Sequence, residues 1–154
     1  MYDVTPVTTE HMSACGPACL KMILKYYGQD IQLDDLIAEC GVTVTGTTLK
    51  KLKQVGNAHG MDMRIYRMSA EDLLKLDRPA IIYWRYTHFV VFCGLDKAGE
   101  PVICNSGSGR FSLPVNDFSR FFTGYVITNG QNDDAFPDDY FGENPVEPDD
   151  YFNL

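Results

Sequence analysis

The 154-residue chain has no apolar run near the ~20 residues that a membrane-spanning helix needs, so no membrane span is expected. Its opening, MYDVTPVTTEH, lacks the basic start and apolar stretch of a secretion signal. It has no CxxC pair, and its five cysteines, at 15, 19, 40, 93 and 104, are an odd number. That spacing argues against a disulfide scaffold and a zinc site and suits a reducing compartment, so a cytoplasmic location without a metal is expected. Basic residues are outnumbered, 13 Lys and Arg against 21 Asp and Glu, and form no stripe of the kind nucleic acid requires. SGSG at 106–109 lacks the Gly-Lys-Ser/Thr ending of a phosphate loop, and no cofactor is expected.

The acidity is local. Residues 132–154 carry eight acids and no Lys or Arg, which leaves thirteen acids against thirteen bases in residues 1–131. The reading is therefore a balanced domain over 1–131 and an acidic tail over 132–154. The tail repeats PDDYF at 137–141 and 148–152 and holds five aromatics, Phe136, Tyr140, Phe141, Tyr151 and Phe152. A purely solvated acidic segment has few aromatics, so the tail is expected to dock on a groove of its own body or of a partner.

From Ala14 to Tyr27 the apolar residues Cys15, Ala18, Cys19, Met22, Ile23 and Tyr26 keep helical spacing, and Gly28 is placed to end the helix. A short helix is expected over Leu33–Glu39, and another begins at Thr47 or Thr48 and buries Leu49, Leu52 and Val55. Ser69 with Asp72 resembles a capping box for a helix through Leu76. After Pro79 the character changes. AIIYW (80–84), THFVVFCGL (87–95), PVICN (101–105) and GYVIT (124–128) read as strands, with DKAG (96–99) as a turn. The order predicts an α+β fold, a helical N-terminal half packed on an antiparallel sheet from the C-terminal half. A group on the first helix would then face a group on the sheet across the seam between the halves.

One cysteine stands apart. Cys15 precedes Gly16 and Pro17, and proline is favoured in a first helical turn because its missing N–H would be unpaired there anyway. Free amides and the helix dipole at such a terminus stabilise a thiolate, the nucleophilic form, and can also hold an oxyanion. Cys19, Cys40, Cys93 and Cys104 read as ordinary buried thiols. Of the three histidines, His11 lies in a loop and His59 in a polar turn, whereas His88 leads an apolar strand and is held as a base should be. Asn105 ends the next strand, across the DKAG turn, where its amide carbonyl can accept the ring N–H of His88 in a Cys-His-Asn triad.

The segments ACGPACLKMILKYYG (14–28), G-x-T-L-x-x-L (46–52), HFVV (88–91) and the Asx-x-x-x-Gly stretch ending at Gly109 resemble the papain-like cysteine peptidase domain of bacteriocin-exporting ABC transporters. The similarity runs over about residues 7–128 and keeps the order of every block. That family cuts leader peptides after a double-glycine motif. The resemblance implies Cys15 as nucleophile, His88 as base, and Asn105 in the place usually held by Asp. Three departures accompany it. Thr9 stands where the family has a Gln that helps hold the oxyanion, Ala14 stands where Asp is common, and the acidic tail lies where transmembrane helices would begin.

These readings converge on a free-standing cysteine peptidase that cleaves a peptide leader or a Gly-containing protein site. Cys15 attacks, His88 shuttles the proton, Asn105 orients it, and the Cys15 backbone N–H with the Thr9 hydroxyl holds the oxyanion. Two alternatives come from other classes: a degenerate domain that only binds peptides, motivated by Thr9, and a thioester-forming acyltransferase. Tyr83, Trp84 and Tyr86, close to His88 in the chain, are expected either to narrow the subsites or to fill the core.

Overall fold

In the computed structural model, residues 1–44, 46–85 and 88–130 are described. Tyr86 and the 132–154 tail, with both PDDYF copies, lie outside the described residues. Helix α1 (Cys15–Tyr26) follows directly from a 3-10 turn at Met12–Ala14, and Gly28 closes it with the positive φ of 94° that its final turn requires. Helices α2 (Leu33–Glu39) and α3 (Leu49–Ala58) come next. Thr48 caps α3, its hydroxyl accepting from the Lys51 amide at 3.1 Å. Ser69 caps the short α4 (Ala70–Leu74) by accepting from the Asp72 amide at 3.1 Å, and α5 spans Val115–Phe121.

Among the described residues six strands form one antiparallel sheet: β1 (Met63–Arg67), β2 (Ala80–Trp84), β3 (His88–Leu95), β4 (Pro101–Asn105), β5 (Gly109–Ser112) and β6 (Phe122–Asn129). Their spatial order is β1-β6-β2-β3-β4-β5. The β3–β4 hairpin turns on Asp96, whose carboxylate accepts from the Ala98 and Glu100 amides at 2.9 and 3.0 Å. The expected α+β order is observed, with two elements crossing the division between the halves. Strand β1 comes from the N-terminal half and pairs with β6, and α5 from the C-terminal half supplies a helix of its own.

Both faces of the sheet are covered, which is why β2 and β3 read as continuous apolar runs instead of alternating ones. One face carries Ile81, Tyr83, Phe89, Val91 and Cys93 against Cys19, Leu20 and Ile23 of α1 and Leu49 and Leu52 of α3. The other carries Ala80, Ile82, Val90 and Phe92 against Leu73 and Phe118. Tyr83 is core, edge-on to Phe89, and Trp84 stacks on Phe121 at 5.5 Å. Strand direction then sets the site. The first residue of β3 and the last of β4 come to the same end of the sheet, and α1 lies against β3.

Candidate active site

Cys15 is the first residue of α1, and its N-cap, Ala14, offers no side chain to the helix end. The Gly-Pro that follows has a steric reason. A Cβ on Gly16 would fall 2.8 Å from Thr47 Cγ2 and 3.3 Å from both methyls of Leu52, so only glycine lets this first turn press against the start of α3. Pro17 removes an amide that the helix cannot use.

Burial pushes the Cys15 thiol up from its ordinary value, while the backbone amides of Phe89, Gly16 and Cys15 itself pull it down and only partly compensate. The lowered pKa expected from the helix start is therefore corrected. Cys15 is 5% exposed, and desolvation of a thiolate outweighs the amides that point at it. It remains the best provided of the upward-shifted thiols. Cys19 is driven well above its ordinary value by desolvation with no amide to offset it, and Cys40 goes to about 11, chiefly by burial.

The Phe89 amide ties the thiol to β3 one residue past His88. His88 Nε2 lies 3.1 Å from Asn105 Oδ1, the contact expected from counting across the hairpin. The same Oδ1 accepts from the Gly107 amide at 2.9 Å. That second bond sets the orientation of the amide, because an NH₂ group could not accept from Gly107. With Oδ1 toward the ring, His88 carries its proton on Nε2. Nδ1 is then the nitrogen with a lone pair, and it is buried with no hydrogen-bond partner among the described residues. The Gly107 amide was the missed part of this arrangement. SGSG looked generic, but an Asn two residues before Gly is a signature of this local turn.

The Thr9 amide donates to the Ser106 carbonyl at 2.8 Å, which brings the segment before α1 to the residue after Asn105. The Thr9 hydroxyl accepts from the His11 amide at 3.2 Å and keeps its own proton to donate. The Cys15 amide donates to the Met12 carbonyl and closes the 3-10 turn, a bond the sequence did not suggest. His59 sits elsewhere, with Nε2 3.1 Å from the Glu39 carboxylate. A pocket of about 530 Å³ lined by Arg67, Phe122 and Gly124 lies on β1 and β6, strands separated from β3 by β2.

A helix that presents a cysteine from its first turn to a sheet end bearing His and Asn belongs to the papain-like cysteine peptidase fold. The Peptidase C39 family matches residues 4–134, and the chain belongs to that family. It is 30% identical over 113 residues to the colicin V secretion/processing ATP-binding protein of Escherichia coli, covering 73% of this chain and 16% of that protein's length. It is also similar to an uncharacterized protein of Methanothermobacter thermautotrophicus, 28% identical over 125 residues, which cover 81% of this chain and 87% of that one. Among solved structures it resembles a double glycine motif protease from an AMS/PCAT transporter in complex with the leader peptide. The TM-score is 0.78 at 29% identity, covering 82% of this chain and 90% of that one. Among the described residues no helix is long and apolar enough to cross a membrane.

Proposed function

We propose that this chain is an active cysteine peptidase that cuts a peptide or protein substrate after a Gly-containing site, with Cys15, His88 and Asn105 as its triad. The observation that carries the reading is the division of labour on His88: Nε2 is held by Asn105, and Nδ1 is left unpaired beside the strand whose amide touches the Cys15 thiol. Because the free thiol is pushed up, the proton leaves as the thiol attacks. His88 Nδ1 takes it while the Cys15 sulfur bonds to the scissile carbonyl carbon. The carbonyl electrons move to oxygen, where the Thr9 hydroxyl and the Cys15 amide supply donors once the Met12 turn shares its proton. Collapse of this adduct breaks the C–N bond, His88 returns the proton to the departing amine, and a thioester remains on Cys15. Water, deprotonated by the same nitrogen, hydrolyses it. Asn105 stays neutral throughout and keeps the ring in one tautomer.

The double glycine motif protease bound to a leader peptide supports glycine at the cut site. The test is incubation of the full chain with a synthetic leader ending in Gly-Gly, beside a peptide aldehyde with the same ending. Cleavage after the second Gly and a hemithioacetal mapped to Cys15 are expected. An aldehyde adduct absent from Cys15, or cleavage that survives Cys15→Ala, overturns the assignment. A location in the cytoplasm, and docking of the 132–154 tail on a groove of this chain or of a partner, are part of the same proposal. Deleting residues 132–154 is expected to speed cleavage if the groove is the chain's own, whereas unchanged cleavage and unchanged thermal stability would remove the intramolecular arm.

A further inference from the structure

Four of the five cysteines have no part in the mechanism above, and two of them touch. Cys93 Sγ on β3 lies 3.1 Å from Cys104 Sγ on β4, and both side chains are fully buried. The register explains the contact. Val91 pairs with Cys104, so Cys93 is the diagonal neighbour on the same face, a position from which side chains of adjacent strands reach each other. A shift of register between Phe92 and Leu95 adds a local twist there. Arg110 faces Cys104 from β5 and also donates to the Val4 carbonyl. The Cys93 S–H donating to it, followed by this guanidinium, draws the Cys104 thiol down to about 7, whereas Cys93 as the donor is pushed far up.

We propose that Cys93 and Cys104 form an oxidation site, a dithiol that a hydroperoxide converts into a cross-strand disulfide between β3 and β4. The Cys104 thiolate attacks the hydroxyl-bearing oxygen of the hydroperoxide, the O–O bond breaks, and Cys104 is left as a sulfenic acid. The departing alkoxide (hydroxide, for hydrogen peroxide) takes the proton that Cys104 released and leaves as alcohol (or water). Cys93 sulfur then attacks that sulfur, the S–O bond breaks, and the hydroxyl departs with the Cys93 proton as water. Two electrons and two protons leave the thiols and reduce the peroxide. Both thiols are fully buried, so the oxidant has to enter through local opening of the strands, which favours a small hydroperoxide over a bulky alkylating agent. The disulfide would tie the two strands that end in His88 and Asn105, one residue from Asn105 itself.

The test needs no peptidase activity and so stands apart from the triad. Cys15→Ala keeps four of the five cysteines. The folded full chain is treated with a small excess of hydrogen peroxide, then unfolded in an alkylating agent and digested with trypsin. Two of the four thiols are expected to vanish. Cleavage after Arg85, Lys97 and Arg110 should give one linked species that joins residues 86–97 to 98–110 and separates on reduction. Cys93→Ser in the same background should lose that species. Four alkylated thiols after oxidation would overturn the proposal, as would a link from Cys104 to Cys19, the other thiol it faces in the core.

Discussion

The two faces of the sheet are equally buried and chemically opposite. The face under α1 holds all five cysteines, and the face under α4 and α5 holds none. The second face is instead an aromatic layer, with Phe118 at its centre at ring distances of 5.3, 5.7 and 6.2 Å from Trp84, Phe122 and Phe92. Burial alone therefore does not mark a reactive sulfur. Cys15 and Cys19 lie one helical turn apart in the same core, but only Cys15 has amides aimed at it, that of Phe89 from β3 and those of Gly16 and Cys15 at the start of the helix. One face carries the candidate site at its edge, and the other supplies packing.

Breaking the chemical face at its edge should have the largest effect. Cys15→Ala and His88→Ala are each expected to lower kcat/KM for a Gly-Gly leader by roughly 10⁴-fold or more, with urea midpoints near that of the parent. On the aromatic face, Phe118→Ala should do the reverse. It removes a fully buried ring and is expected to cost about 3–5 kcal/mol in urea unfolding. The surviving folded fraction should keep its specific activity, and an equal loss in both measurements would erase the contrast between the faces.

Asn105→Ala leaves His88 Nε2 and the Gly107 amide without their shared acceptor, and kcat should fall about 100-fold with KM little changed. Alkylation of Cys15 reads the balance of burial against amides. With its pKa raised, thiolate is scarce at neutrality, and the iodoacetamide rate should climb about tenfold per unit from pH 7 to 9. A plateau below pH 8 would mean the amides prevail. The smallest effect is expected at the oxyanion side. Thr9→Gln should raise kcat on the order of tenfold, less than the ~100–1,000-fold that a missing donor costs, because in the proposed mechanism the Thr9 hydroxyl supplies part of that donation.

Much of the fold was legible because its signals are local. The Cys15–Tyr26 stripe, the caps at Thr48 and Ser69, and the β-branched runs of β2, β3, β4 and β6 depend on neighbours a few residues away. Strand β1 was not read. MRIYR is short, its burial does not alternate cleanly, and its partner β6 lies some sixty residues on. Strand β5 and helix α5 were missed for a related reason, since GRFS is mostly exposed and VNDFSRF buries a single side chain, Phe118.

At the site, chain order and strand direction by themselves determined that a cysteine would start a helix, and that His88 and Asn105 would meet at one end of a hairpin. These follow from helix-end chemistry and the period of two along a strand. Only the tertiary structure decided how deeply Cys15 is buried, and so the direction of its pKa. It also decided that the Met12 carbonyl holds the Cys15 amide, and that Gly107 turns Asn105 Oδ1 toward the histidine. It brought Cys93 against Cys104 as well. Desolvation and hydrogen-bond competition depend on every group within a few ångströms. Those neighbours are assembled from separate parts of the chain, which no local pattern records.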